Sequence, residues 1–211
     1  MSNSGMIEIE EMDKIYEVGD KRIVVFDKLN LRIDPSEVTV LVGKSGCGKT
    51  TLLRLLAGLE KPTSGSITMP EGISSGMVFQ EPRLMPWLTC EKNVTLGMKK
   101  PDPADTARIL KLVGLQGYEK AFSFQLSGGM KQRAALARTL IRKPNLILMD
   151  EPFASLDGSA RKAMQDELLK IRKETNAGIV FVTHDMSEAF RLGNRILRIE
   201  NGKTEEINHE K

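Results

Sequence analysis

The strongest constraint on the fold is a short apolar run that leads directly into a glycine-rich loop. Residues Val38–Val42 are almost continuously apolar, which is typical of a strand buried on both faces of a parallel sheet. Residues 43–50 follow as Gly-Lys-Ser-Gly-Cys-Gly-Lys-Thr. Apolar residues then recur as in a buried helix: Leu52, Leu53, Leu55 and Leu56. This order of strand, loop and helix predicts an α/β fold.

The loop over residues 43–50, called the phosphate loop below, predicts a nucleotide site. Its spacing fits the pattern in which backbone N–H groups converge on phosphate oxygens at a helix N-terminus. Lys49 would reach the β- and γ-phosphates, Thr50 would bind Mg²⁺ through its hydroxyl, and Thr51 is available to the α-phosphate. The remaining residues of the predicted cradle are Gly43, Lys44, Ser45, Gly46, Cys47 and Gly48.

A second buried run ends in two carboxylates. Leu146–Met149 is followed by Asp150 and Glu151. Asp150 is expected to hold Mg²⁺ through its water shell, and Glu151 to face the γ-phosphate and polarise the attacking water. The alternative is an acidic turn that only caps the strand. Because the phosphate loop is present, catalysis is favoured.

The rest of the chain completes an α/β pattern. A third buried run, Ile179–Val182, also ends at polar residues, whereas apolar and polar residues alternate near Ile7 and Leu31, as in antiparallel strands. Residues 82–140 contain several prolines and then helical periodicity, which predicts a helical insertion. We therefore expect a single domain, with residues 1–81 and 141–211 as the core and about 82–140 as the helical part.

Composition limits the partners. The net charge of +3 is not concentrated in a basic run, so no nucleic-acid partner is expected. Two cysteines, Cys47 and Cys90, form no disulfide framework and are expected to be free thiols in a reducing cytosol. No apolar run approaches the roughly 18–20 residues of a membrane helix. Any membrane passage would need another subunit.

Residues 126–138 contain a glycine pair at the predicted start of a helix, which suggests a second phosphate-binding turn, in the sequence Leu-Ser-Gly-Gly-Met-Lys-Gln-Arg-Ala-Ala-Leu-Ala-Arg. One chain has no obvious use for two phosphate grips on one nucleotide, but two chains that face each other do.

With this segment added, the chain resembles the ATP-binding cassette (ABC) family over nearly its whole length. The matching elements occur in the family's order: Tyr16, the phosphate loop, Gln80, the Leu126–Met130 signature, Asp150-Glu151, Ser155-Leu156-Asp157 and His184. The resemblance implies an α/β fold with a phosphate-loop (RecA-like) mixed-sheet core, an antiparallel β subdomain and an inserted α-helical subdomain.

The resemblance also implies roles for residues that spacing alone does not explain. Tyr16 would stack on adenine, Gln80 would contact Mg²⁺ or the lytic water, and His184 would hydrogen-bond the γ-phosphate. Asp157 would belong to the D-loop. The signature residues Ser127, Gly128 and Gly129 would bind the ATP held by a partner chain.

These roles imply an ATPase that forms an ATP-dependent, head-to-tail homodimer. Its expected partners are transmembrane permease subunits and an extracytoplasmic solute-binding protein, with the chain on the cytoplasmic face of the membrane. The chain has Met130 where the family most often has Gln. Together with residues 80–95, this resembles the sequences of importers of nitrate, sulfonate and taurine. Trp87 would then either form the groove for a membrane subunit or belong to the core.

Three alternatives stay open at this stage. The chain could serve an exporter or a lipoprotein-release complex, it could be a soluble ABC protein of translation or DNA repair, or it could be a regulator without turnover. Glu151 and His184 argue against the last.

Overall fold

The computed structural model describes residues 5–154 and 156–207, whose strands form two sheets. The strands are β1 Ile7–Val18, β2 Lys21–Ile33, β3 Val38–Val42, β4 Ser64–Thr68, β5 Ser75–Val78, β6 Leu146–Asp150, β7 Gly178–Val182, β8 Arg195–Glu200 and β9 Lys203–Ile207. An antiparallel sheet has the order β2-β1-β4, and a mixed sheet has the order β5-β6-β7-β3-β8-β9.

The helices lie between these strands. They are α1 Lys49–Leu56, α2 Cys90–Val94, α3 Pro103–Leu112, α4 Gly128–Leu140, α5 Gly158–Thr175 and α6 Met186–Leu192, with a 3₁₀ turn at Ser123–Gln125. Sequence explains several of their ends. Asp102 caps α3 with Pro103 in its first turn, and Asp157 caps α5, which ends where Asn176 adopts a left-handed conformation (φ 54°).

Helices α2, α3 and α4 all lie between β5 and β6 in the chain, which agrees with the helical insertion predicted from the sequence. The fold class is therefore confirmed. The division of the chain at residues 82 and 140 stays a prediction.

The mixed sheet is built around three strands that are buried at every position: β3, β6 and β7. They are parallel neighbours, with Leu41 beside Val182 and Val182 beside Asp150, so their carboxyl ends reach the same edge. β8 runs parallel to β3, and β9 returns antiparallel through a turn at Asn201-Gly202. Both turn residues have positive φ, as a type I′ hairpin requires.

Alternate side chains of the central strands enter two separate cores. Ile179 and Phe181 of β7 pack on the helical side, together with α4 and α5. Val180 and Val182 pack on the other side, where α1 and the antiparallel sheet cover them. With both faces covered, the carboxyl edge of the sheet and its loops are left to bind a ligand.

Candidate nucleotide site

Four neighbouring strands bring several of the predicted site residues to one edge of the mixed sheet. β3 leads into the phosphate loop, β6 ends at Asp150, and His184 lies two residues after β7. Val78 of β5 is paired with Met149 of β6. Gln80 and Glu151, each two residues further along the chain, therefore occupy corresponding positions after their strands. Residues separated by a hundred positions in sequence thus share one edge.

Two positions of the phosphate loop require glycine. Gly48 has φ 105°, and a Cβ there would lie 2.6 Å from Val25 Cγ1 and 2.9 Å from Phe26 Cζ. A Cβ on Gly43 would lie 2.5 Å from the Ile199 carbonyl oxygen. The loop is therefore packed tightly against β2 and β8, which fixes the direction of its N–H groups.

Lys49 lies inside the loop. Its Nζ donates hydrogen bonds to the carbonyl oxygens of Gly43 (2.7 Å) and Lys44 (3.0 Å), and the residue is buried. The loop tip, Lys44, Ser45 and Gly46, is exposed. The chain thus holds a buried cation beneath an open loop at a helix N-terminus, an arrangement suited to phosphate groups.

Thr50 and Asp150 meet at the start of α1. The Thr50 hydroxyl donates a 3.0 Å hydrogen bond to Asp150 Oδ1. Asp150 is only 6% exposed, and this burial raises the pKa of its carboxyl group. The Thr50 hydrogen bond and the charge of Lys49 oppose that rise, while the neighbouring Glu151 adds to it. The pair offers a hydroxyl and a carboxylate oxygen, the ligand types that Mg²⁺ prefers.

Glu151 and His184 face each other across the sheet edge. Glu151 Oε2 lies 3.4 Å from His184 Nδ1, and the His184 side chain is exposed. Glu151 also has φ 44°, an uncommon backbone conformation for a residue with a Cβ, and its N–H donates to the Val182 carbonyl at 3.2 Å. Such backbone strain is common at functional sites.

A cavity of about 850 Å³ opens beside the phosphate loop, within the roughly 300–1,000 Å³ of small-ligand sites. Residues of β2, the loop, His184 and the β8–β9 hairpin line it. Tyr16 adjoins its rim, because it is paired with the lining residue Ile23. The Tyr16 hydroxyl donates to the Glu60 carboxylate, and Lys14 Nζ lies 4.7 Å from the ring centroid.

The signature residues are not among those that line this cavity. Ser127 caps α4 by accepting a 3.3 Å hydrogen bond from the Met130 N–H, and both Ser127 and Gly128 are exposed. A Cβ on Gly129 would touch Leu156 at 3.4 Å, so the signature adjoins the D-loop. Asp157 caps α5 through the Ala160 N–H (2.9 Å), whereas Ser155 lies outside the described residues.

The structure adds residues that sequence reasoning missed. Arg138 of α4 donates hydrogen bonds of 2.8 Å to the carbonyl oxygens of Pro82 and Arg83, just after Gln80. The signature helix and the Gln80 loop are therefore directly joined. No spacing in the sequence relates these positions. Trp87 is 70% exposed, which excludes the alternative in which it belongs to the core.

Comparison with known proteins places this geometry in a family. The family model described as ABC transporter matches residues 26–154. The chain is 40% identical to the aliphatic sulfonates import ATP-binding protein SsuB of Bacillus subtilis over 95% of its length and 83% of the relative. It is 48% identical to the taurine import ATP-binding protein TauB of Pelagibacter ubique over 80% of its length and 68% of the relative.

The fold is also similar to a solved structure, a dimeric post-hydrolysis state of the ATP-binding cassette MJ0796 bound to ADP and Pi. The TM-score is 0.85 at 28% identity, over 97% of this chain and 99% of the other. The family match and a structural neighbour captured with ADP and Pi both indicate a cassette that binds and hydrolyses ATP. The chain is an ATP-binding ATPase and belongs to the ABC transporter family.

Proposed function

We propose that this ATPase powers the import of a small sulfonate- or taurine-like solute through a membrane permease. The observation that carries the proposal is the similarity to import subunits named for aliphatic sulfonates and taurine, at 40% and 48% identity. None of the described helices is long and apolar enough to cross a membrane. From the similarity to import subunits, we assign the pathway to transmembrane partner subunits and this chain to the cytoplasmic face of the membrane, with an extracytoplasmic binding protein supplying the solute.

The phosphate loop is proposed to hold the ATP phosphates. Its exposed N–H groups at residues 44–46 and the α1 N-terminus attract anionic oxygens, and Lys49 turns from the loop carbonyls to the β- and γ-phosphates. Thr51 is close enough to the Tyr16 hydroxyl to affect the pKa of the phenol. This proximity supports a route for the nucleotide from the loop past Thr51 to adenine stacked on Tyr16.

Mg²⁺ fits the same edge. Thr50 and Asp150 would hold it, with Gln80 approaching from the end of β5. The metal supplies charge neutralisation on the β- and γ-phosphate oxygens. Because Mg²⁺ usually keeps several waters and few protein ligands, one hydroxyl and one carboxylate are sufficient.

Glu151 is proposed as the general base. It would accept a proton from the water that attacks the γ-phosphate, as the bond between the γ-phosphorus and the bridging oxygen breaks and leaves ADP and phosphate. His184 lies 3.4 Å from its carboxylate. The imidazole is therefore in reach to orient Glu151 and to hydrogen-bond the γ-phosphate.

A second copy of the chain would complete the site. The signature residues Ser127 and Gly128, both exposed, and the half-buried Gly129 would offer a hydroxyl and the positive end of α4 to the γ-phosphate bound by the partner protomer. This contact gives a head-to-tail dimer with Asp157 and its D-loop near the interface. Trp87, exposed on the loop after Gln80, would contact the permease.

Growth of a strain that lacks this gene tests the imported solute. With taurine or an alkanesulfonate as the sole sulfur source the strain should fail to grow, whereas sulfate should restore growth. Isolation of the native complex should recover a transmembrane subunit. Normal growth on both organosulfur sources would refute the solute class, and recovery of only ribosomal or DNA-bound partners would refute transport.

A further inference from the structure

Two exposed aromatic rings stand just before the signature. Phe122 and Phe124 are stacked, with ring centroids 5.7 Å apart and ring planes within 8°. Phe124 is 72% exposed and Phe122 37% exposed. We call these two residues the aromatic pair. Rings left exposed to water do not gain the free energy of apolar burial. Their exposure therefore indicates a surface that another molecule covers.

Hydrogen bonds fix the backbone turn that carries the aromatic pair. The Phe122 N–H donates to Gln125 Oε1 (2.8 Å), and the Gln125 N–H donates to the Phe122 carbonyl (2.9 Å). Phe122 also forms a β-bridge with Thr89. The 3₁₀ turn ends two residues before Ser127, which starts α4. The rings are therefore preorganised beside the signature, which lowers the entropy lost when they pack on a partner.

A second exposed apolar surface lies beside the other half of the nucleotide site. Val18, Ile23 and Val24, called the hairpin patch, are 60%, 49% and 56% exposed at the β1–β2 hairpin. Ile23 and Val24 line the cavity next to the phosphate loop, and Ile23 is paired with Tyr16. The hairpin patch therefore adjoins the proposed adenine end of the site.

We propose that the aromatic pair of one protomer packs against the hairpin patch of a second copy and closes the adenine end of the composite ATP site. This inference rests on the proposed head-to-tail dimer. In that arrangement the signature of one copy faces the phosphate loop of the other, which brings together the apolar surfaces that flank each half. Twofold symmetry makes the contact twice.

The test is ATP-driven dimerisation of the full chain, measured by sedimentation with Mg²⁺ and a slowly hydrolysed ATP analogue. Phe124→Ala should weaken dimerisation by at least about tenfold, as expected for a lost aromatic contact. Phe124→Tyr keeps the ring and should restore it. Tyr118→Ala, which removes another exposed aromatic side chain of the helical region, should dimerise like wild type. Nucleotide binding by the monomer should be unchanged in all three.

A double-mutant cycle tests the partner surface. Val18 does not line the cavity. If it meets the aromatic pair, Val18→Ser combined with Phe124→Ala should cost less than the sum of the single changes. Additive effects, or wild-type dimerisation of Phe124→Ala, would overturn the inference. So would a Phe124→Ala variant that dimerises normally but no longer recovers the permease.

A Ser127→Arg variant separates this inference from the function on which it rests. If Ser127→Arg still dimerises with ATP, the head-to-tail arrangement itself is wrong. If Ser127→Arg abolishes dimerisation while Phe124→Ala does not, only the role of the aromatic pair is refuted.

Discussion

In the proposed role as a Mg²⁺ ligand, Asp150 would trade stability for function. Its buried carboxylate has a raised pKa because burial disfavours the charged form, and this outweighs the Thr50 hydrogen bond. An ionised Asp150 therefore costs folding free energy when no nucleotide or metal is bound. Selection for stability alone would favour an uncharged side chain at this position.

Replacing Asp150 by Asn should stabilise the ligand-free protein by about 1 kcal/mol at pH 7 while abolishing Mg²⁺-dependent hydrolysis. The amide oxygen still accepts from Thr50. Because the pKa of Asp150 in the folded protein lies above the usual value for aspartate, the cost of ionisation is complete above the folded pKa and vanishes below the unfolded pKa. The gain should thus shrink as the pH falls. Urea unfolding at several pH values measures it, and a less stable variant at pH 7 would contradict the argument.

Glu151→Gln should lower ATP hydrolysis by about 10²–10⁴-fold, the usual effect of removing a general base. ATP binding should persist, since the amide still fits the site. Phosphate release and nucleotide affinity, measured on the same samples, separate the two effects. A wild-type hydrolysis rate would exclude Glu151 as the base.

The two thiols should differ sharply in reactivity. Burial raises the pKa of the Cys90 thiol to about 11, so the thiolate is scarce at pH 8. Cys47 lines the cavity beside the phosphate loop and is partly exposed. A maleimide should therefore label one site per chain, and ATP should protect it. Mass spectrometry of the labelled peptides checks this, and labelling of Cys90 in the folded protein would contradict it.

At the scale of elements, one buried side chain supports the loop that carries Trp87. Asn93 of α2 accepts a 2.7 Å hydrogen bond from the Met85 N–H, and its Nδ2 donates to the carbonyl oxygens of Met85 and Leu88 at 3.1 Å. The residue is fully buried. The conformation of residues 85–88 thus depends on a helix that follows it in sequence.

Asn93→Ala should lower the free energy of unfolding by about 2–3 kcal/mol, since several buried backbone groups lose their partner. Asn93→Asp keeps the acceptor but not the donors and should also destabilise the protein. Thr95→Ala is the control, because the Thr95 hydroxyl bonds only within its own helix, to the Glu91 carbonyl. Urea denaturation measures all three. An equal loss in Asn93→Ala and Thr95→Ala would refute the supporting role.

Elements with strong local patterns were predictable, and contacts between distant elements were not. The runs at 38–42, 146–149 and 179–182 are strands because continuous apolar residues suit a sheet covered on both faces. Strand order and the Arg138 hydrogen bonds to Pro82 and Arg83 depend on tertiary packing, and no residue spacing in the sequence reveals them. The exposure of Trp87 was equally undetermined, because an isolated Trp suits a core or an interface.

At the scale of the whole molecule, one chain carries both halves of the proposed composite site, and these halves face different surroundings. The phosphate loop, Asp150, Glu151 and His184 share one sheet edge, while Ser127 begins a helix outside the cavity. Closure by a second copy would supply the missing donors and exclude water from the γ-phosphate. Hydrolysis would remove the γ-phosphate that both copies bind, and this couples the reaction to opening of the dimer.

Ser127→Arg should therefore separate binding from assembly. A long cationic side chain at the α4 cap would replace the hydroxyl that meets the partner's nucleotide, yet it lies outside the cavity of its own chain. ATP affinity of the monomer should stay within about twofold of wild type, whereas ATP-driven dimerisation and hydrolysis should be lost. Fluorescent nucleotide titration at low protein concentration and sedimentation at high concentration measure the two. Ser66→Arg, on the exposed edge strand β4 of the antiparallel sheet, tests for a general effect of added charge. Loss of ATP binding by the Ser127→Arg monomer would mean that the signature belongs to the site of its own chain.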